Sequence, residues 1–137
     1  MGATIMPEIE EEEQEQEPLE KIVVIATHGG EDPERACLPF VMANAALAMD
    51  VHAVVVLQGT AVTLAKKGCY EHVFSPGLPS LKELVDSFIQ LGGTLLVCTP
   101  CINERKITKE MLVDTARPIK AARVITEVLE AKATLNY

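Results

Sequence analysis

The stretch Lys21-Ile22-Val23-Val24-Ile25-Ala26-Thr27-His28-Gly29-Gly30-Glu31-Asp32-Pro33 decides the fold. From Lys21 to Ala26 it is an apolar run rich in β-branched residues, without alternation of polar and apolar positions. Such a run fits a strand covered on both faces, as in a parallel sheet. It ends at Thr27-His28-Gly29-Gly30, a strong loop signal. Asp32-Pro33 then reads as a helix N-cap with proline in the first helical turn. The helix is expected to reach about Met49, with Ala36, Phe40, Ala43 and Leu47 toward the sheet. Pro39 within it is expected to shift or kink the first turns.

Working outward, the same pattern repeats. Val51 to Leu57 reads as a second buried strand and Gly59-Thr60 as a turn. Ala61 to Lys67 reads as a short helix closed by Gly68. Tyr70 to Phe74 fits a short strand, followed by a Ser75-to-Pro79 loop. Ser80-Leu81-Lys82-Glu83 is a capping box opening a helix to about Leu91. Gly92-Gly93 stops that helix, and Thr94 to Val97 is another buried strand. Thr108 is placed to cap a short helix. Pro118 to Ala131 reads as a last helix, with Ile119, Ala122, Ile125, Val128 and Leu129 on one face, and Ala133 to Tyr137 as a final strand.

Alternating strands and helices imply right-handed crossovers. The expected architecture is α/β: a doubly wound, mostly parallel five-stranded sheet with helices on both faces, in three α/β/α layers. In such sheets reactive groups gather beyond the carboxyl ends of the strands. Thr27 to Asp32, Gln58 to Thr60 and Cys98 to Arg105 therefore converge on one edge.

Composition narrows the partners. The 137 residues suit one domain, expected over 21–137, and the hydrophobic share of 48% excludes disorder throughout. With no tryptophan, two tyrosines and three phenylalanines, the chain lacks the rings of a base-stacking surface. Eight glutamates between Glu8 and Glu20 match the formal charge of −8, and acidic and basic residues balance from Lys21 onward. Residues 1–20 are thus expected to be an acidic, disordered leader, and no nucleic-acid partner is expected. No stretch approaches the roughly 20 apolar residues of a membrane span, and the N-terminus does not read as a secretory signal. A cytoplasmic location is the expectation, with Cys37, Cys69, Cys98 and Cys101 reduced.

Cys98-Thr99-Pro100-Cys101 carries the chemistry. Cys98 directly follows a buried strand, and Cys101 lies in the loop or at the start of a helical turn. A cysteine near a helix N-terminus, or near Arg105 and Lys106, is expected to have a lowered pKa and more of the nucleophilic thiolate. Two cysteines at this spacing can also close into a disulfide. Burial of both as small hydrophobes is the competing reading. His28, at the end of the first strand, reads either as a proton partner for the thiolate or as a polar loop residue. No metal is expected, because a zinc site needs a second cysteine pair or histidines at fixed spacing, and His28, His52 and His72 are scattered. Gly29-Gly30 belongs to neither phosphate-binding glycine motif, so no nucleotide cofactor is expected. Capping and helix-dipole complementarity account for Glu31, Asp32 and Glu34. Cys37 reads as core.

Three segments carry a resemblance: Ala26 to Arg35, Leu38-Pro39-Phe40 through Ala48-Met49, and Leu96-Val97-Cys98-Thr99-Pro100-Cys101. They resemble the DsrE/DsrF-like family over Lys21 to Tyr137, and most of all its small soluble branch sometimes labelled predicted peroxiredoxin. The resemblance implies a doubly wound subunit forming homo-oligomers, as trimers or hexamers. It implies a sulfur carrier or sulfurtransferase that holds sulfane sulfur or thiosulfate on a cysteine at the end of the fourth strand, matching Cys98. Such a protein passes sulfur between donor and acceptor proteins and needs no organic cofactor. Cys101 is not a universal family feature, and the acidic leader departs from the compact pattern. A thiol-disulfide or peroxide-linked redox protein using the C-x-x-C pair, and a non-catalytic oligomeric binding module, are the alternatives.

Overall fold

The computed structural model describes residues 19–137. The expected leader lies outside them, apart from Leu19 and Glu20. Five strands, β1 (Lys21–Ala26), β2 (His52–Leu57), β3 (Thr94–Cys98), β4 (Ala116–Ile119) and β5 (Ala133–Asn136), form one sheet in the order β4-β3-β2-β1-β5. Every pairing is parallel. Four α-helices connect them: α1 (Pro33–Ala48), α2 (Leu81–Gln90), α3 (Thr99–Glu104) and α4 (Ala121–Glu130).

The chain steps outward from β1 to β4, then returns through α4 to lay β5 against the free side of β1. The reversal places helices on both faces. Alternate side chains of each strand point to opposite faces. Val24, Ala26, Val55, Leu57, Leu95 and Val97 form one core with Phe40 of α1 and Phe88 of α2. Val23, Val54, Val56 and Leu96 form a second, smaller core with Val124 of α4. With apolar residues needed on both sides, β1, β2 and β3 read as unbroken hydrophobic runs.

Two of the expected caps hold, while Thr108 precedes only a 3₁₀ turn, Lys109–Met111, and makes no side-chain capping bond. Asp32 Oδ1 accepts from Arg35 N at 3.2 Å at the start of α1, which continues through the buried Pro39 to Ala48. Ser80 and Glu83 exchange both bonds of the capping box.

Three expectations are corrected. Tyr70 to Phe74 is not a strand. Tyr70–His72 is a 3₁₀ turn, in which the buried Tyr70 and Val73 are three residues apart and Phe74 is 62% exposed. His72 is therefore an exposed turn residue. The expected helix before Gly68 is a 3₁₀ segment over Gly59–Ala65. Pro118 does not open the last helix but lies in the edge strand β4, where a missing N–H is tolerated. Consequently Ile119 pairs with Cys98 in the sheet, and α4 starts at Ala121. On α4, Val124 and Val128 pack on the sheet, while Ile125 and Leu129 are 57% and 80% exposed.

Below the sheet, Glu127 of α4 is only 6% exposed and accepts from Lys21 Nζ at 2.9 Å and Arg123 Nε at 2.7 Å. Burial pushes its carboxyl upward, but the bonds from Lys21 and Arg123 outweigh burial and hold it below the usual range. A depressed folded-state pKa contributes stability above the unfolded value of about 4.3, lost as pH falls through the folded one. We expect the urea midpoint to drop on acidification through this window, and to drop less in Glu127→Gln. Equal slopes in the two proteins would contradict this.

Candidate functional site

The carboxyl ends of β1, β2 and β3 bring the three expected loops together. The first turns after Ala26. Its Gly29 is buried against the 3₁₀ segment that follows β2: a Cβ there would stand 2.6 Å from Thr60 O and 2.7 Å from Thr63 Oγ1. Glu31 closes the same contact from the other side. Its Oε1 accepts from Gly29 N at 2.9 Å, and its Oε2 lies 3.2 Å from the Thr60 hydroxyl. That hydroxyl is also 3.3 Å from Thr27 O. Glu31, which the sequence reading assigned to helix-dipole complementarity, thus also joins loop one to loop two.

The third loop holds the thiols. Cys98 is the last residue of β3 and precedes α3, and Cys101 lies in the first turn of that helix. Ile102, beside Cys101, is buried in the larger core and anchors the helix. Both cysteines are half-buried and both are free thiols. Gly59 N–H donates to Cys101 Sγ at 3.3 Å, across 42 residues of sequence. Gly59 adopts φ +59°, a left-handed conformation suited to glycine, at the start of the second loop. Arg105 Nη1 donates to Cys101 O at 3.1 Å, which keeps the guanidinium by the pair.

The expectation of a lowered Cys98 pKa is corrected. Burial pushes the Cys98 thiol up, and its hydrogen bond to the Cys101 side chain and the Cys101 charge push the same way. The Cys101 backbone N–H and the Arg105 charge pull down but do not prevail. Desolvation disfavours the thiolate more than one cation favours it.

His28 sits on the same edge, half-buried, with Nδ1 3.3 Å from Thr27 Oγ1. Thr27 Oγ1 in turn donates to Tyr137 O at 2.8 Å. Among the described residues, no hydrogen bond joins His28 to either thiol. Cys37 is fully buried in α1, where burial raises its thiol. His52 lies outside the site, 2.9 Å from Thr94 Oγ1. Among the described residues no three His, Cys, Asp or Glu side chains gather as a metal-binding group. No described helix is long and apolar enough to cross a membrane. Sequence reasoning missed the roles of Glu31 and of the Gly59 N–H, although both lie in segments it had placed on this edge.

An all-parallel three-layer sheet with a thiol pair at its carboxyl edge defines a class of small α/β proteins. The chain belongs to the DsrE/DsrF-like family, whose model matches residues 20–137. The uncharacterized protein MJ0760 of Methanocaldococcus jannaschii is 30% identical over 94 residues, 69% of this chain. The chain spans about a third (34%) of that relative's length. Among solved structures, the YchN protein of E. coli superposes with a TM-score of 0.73 at 19% identity, over 87% of this chain and 100% of that one. A protein of unknown function from Methanobacterium thermoautotrophicum gives 0.67 at 12% identity, over 87% and 99%. These likenesses establish the fold.

Proposed function

We propose that this chain is a sulfur carrier, acting as a sulfurtransferase, that takes sulfane sulfur or thiosulfate onto the Cys98–Cys101 pair and relays it to a partner protein. The observation that carries this reading is the pair of free, half-buried thiols in mutual contact, with a backbone N–H on one sulfur and Arg105 beside it. Family membership supports a sulfur-relay role. The chemistry needs only cysteine: a thiolate attacks a sulfane sulfur, and the bonding electrons leave on a thiolate, on sulfite from thiosulfate, or, where tetrathionate loads the thiosulfonate, on thiosulfate. His28, on the same edge, is assigned proton transfer to or from the thiols. In this reading 21–137 is a single domain working in the cytoplasm, where thiols stay reduced. It assembles as a homo-oligomer, a trimer or hexamer.

The mutual contact of the thiols also favours a second reading, a thiol-disulfide or peroxide-linked redox protein. Intact mass after incubation of the reduced protein with thiosulfate, tetrathionate or polysulfide separates the two. A sulfur-sized or thiosulfonate-sized adduct that vanishes in the Cys98→Ser/Cys101→Ser double variant is the expected result. No adduct from any donor, with rapid Cys98–Cys101 disulfide formation under peroxide, would sink the carrier reading and establish the redox one.

A further inference from the structure

The two sulfurs are not equivalent. Cys101 Sγ receives the Gly59 N–H at 3.3 Å, from a residue whose φ of +59° turns the chain at the end of β2. Hydrogen bonds from backbone amides favour an anionic acceptor. Cys98, the final residue of β3, follows the fully buried Val97 and packs against the larger core. Its proton is held in place by that burial and by its hydrogen bond to Cys101. Both sulfurs touch the larger core, and the asymmetry lies in their amides: the turn after β2 brings the distant Gly59 N–H to Cys101, while Cys98, at the end of β3, has only the N–H of the neighbouring Cys101.

We infer that Cys101 Sγ, which carries the Gly59 amide, is the sulfur that first attacks incoming sulfane sulfur, and that Cys98 is the proton donor and then the second acceptor. The inference rests on the sulfur-carrier reading and assigns an order within it. With an organic persulfide R–S–SH, the Cys101 thiolate attacks the terminal sulfur. A new S–S bond forms to Cys101 as the donor bond breaks, and R–S⁻ leaves with the electron pair. The Cys98 thiol gives its proton to R–S⁻, making R–SH. The Cys98 thiolate then attacks the terminal sulfur of the Cys101 persulfide, taking it over and restoring the Cys101 thiolate. No electrons are gained or lost overall, so no outside reductant is needed. Cys98, the family position, holds the cargo after Cys101 has collected it.

The test uses glutathione persulfide on the full chain, with intact mass followed in time for wild type, Cys98→Ser and Cys101→Ser. At neutral pH, Cys101→Ser is expected to load more slowly than wild type, because the sulfur that remains lacks the Gly59 amide. Raising the pH should bring its loading back toward wild type as Cys98 ionises, a recovery that a folding defect would not give. Cys98→Ser is expected still to gain one sulfur, held on Cys101. Where Cys101→Ser fails to fold, Cys98→Ser decides alone: an adduct supports the order and none overturns it. Cys101→Ser loading at the wild-type rate overturns the order and leaves the carrier reading standing. Wild type gaining no sulfur overturns both.

Discussion

Gly29→Ala loses about 3 kcal/mol of stability, at the upper end of the cost of forcing a methyl into a packed site. The added Cβ would stand 2.6 Å from Thr60 O, a backbone atom that cannot swing aside, and 2.7 Å from Thr63 Oγ1. Thr63 is itself held, its hydroxyl donating to Thr60 O at 2.8 Å. The first two loops must then separate, breaking the Glu31 bonds to Gly29 and Thr60. Gly59, directly before Thr60, moves with them, and the amide on Cys101 goes out of place. The neighbouring glycine gives the contrast. A Cβ on Gly30 would meet Val73 Cγ2 at 3.5 Å, an ordinary contact. Gly30→Ala is therefore expected to be neutral, or stabilising by about 0.5 kcal/mol through a less flexible unfolded chain. Urea denaturation gives both values, and iodoacetamide labelling of Cys101 reads the site. Equal stabilities for the two alanine variants would refute the loop-contact argument.

The second large effect lies in the core. Phe88→Ala is expected to cost about 3–5 kcal/mol. Phe88 of α2 is fully buried, and its ring meets Phe40 of α1 edge-on, with centroids 5.5 Å apart. The space for the ring comes from Gly93, because a side chain there would collide with it. Sequence reasoning took Gly92-Gly93 only as a helix stop, yet the second glycine also shapes the core. Gly93→Ala should be destabilising for the same reason, and less so in a Phe88→Ala background. Simple additivity of the two changes would contradict that coupling. Phe74→Ala is the control: the side chain is 62% exposed, and the expected change is within about 0.5 kcal/mol.

These particulars show what could be read from the chain. The strands β1, β2 and β3 were legible because covering both faces leaves an unbroken apolar run. The edge strand β4 was not. Ala116-Arg117-Pro118-Ile119 has one neighbouring strand, an exposed arginine and a proline, so a helix start was the stronger local signal. Tyr70 to Phe74 erred the other way, since its β-formers pack with a spacing of three. At the site, Cys98 and Cys101 were legible because they are near neighbours in sequence. The Gly59 amide was not, because a backbone N–H has no residue signature and its partner lies 42 positions away. Glu31 was misassigned because the helix beside it offered a local explanation, while its other partner, Thr60, is 29 positions off.

Among the described residues, the strand latest in sequence completes the earliest. Among the described residues, β1 pairs on one side with β2 and on the other with β5. Thr27 and Tyr137, 110 positions apart, are joined by two hydrogen bonds to Tyr137 O. While the ribosome delivers the chain, β2, β3 and β4 can assemble beside β1, but its other margin waits with unmatched amides and carbonyls. Such a margin is a template for any passing strand, including the β5 of a sister chain on the same polysome. For this topology the hazard of exchange between nascent chains is concentrated in the interval before residues 133–136 emerge.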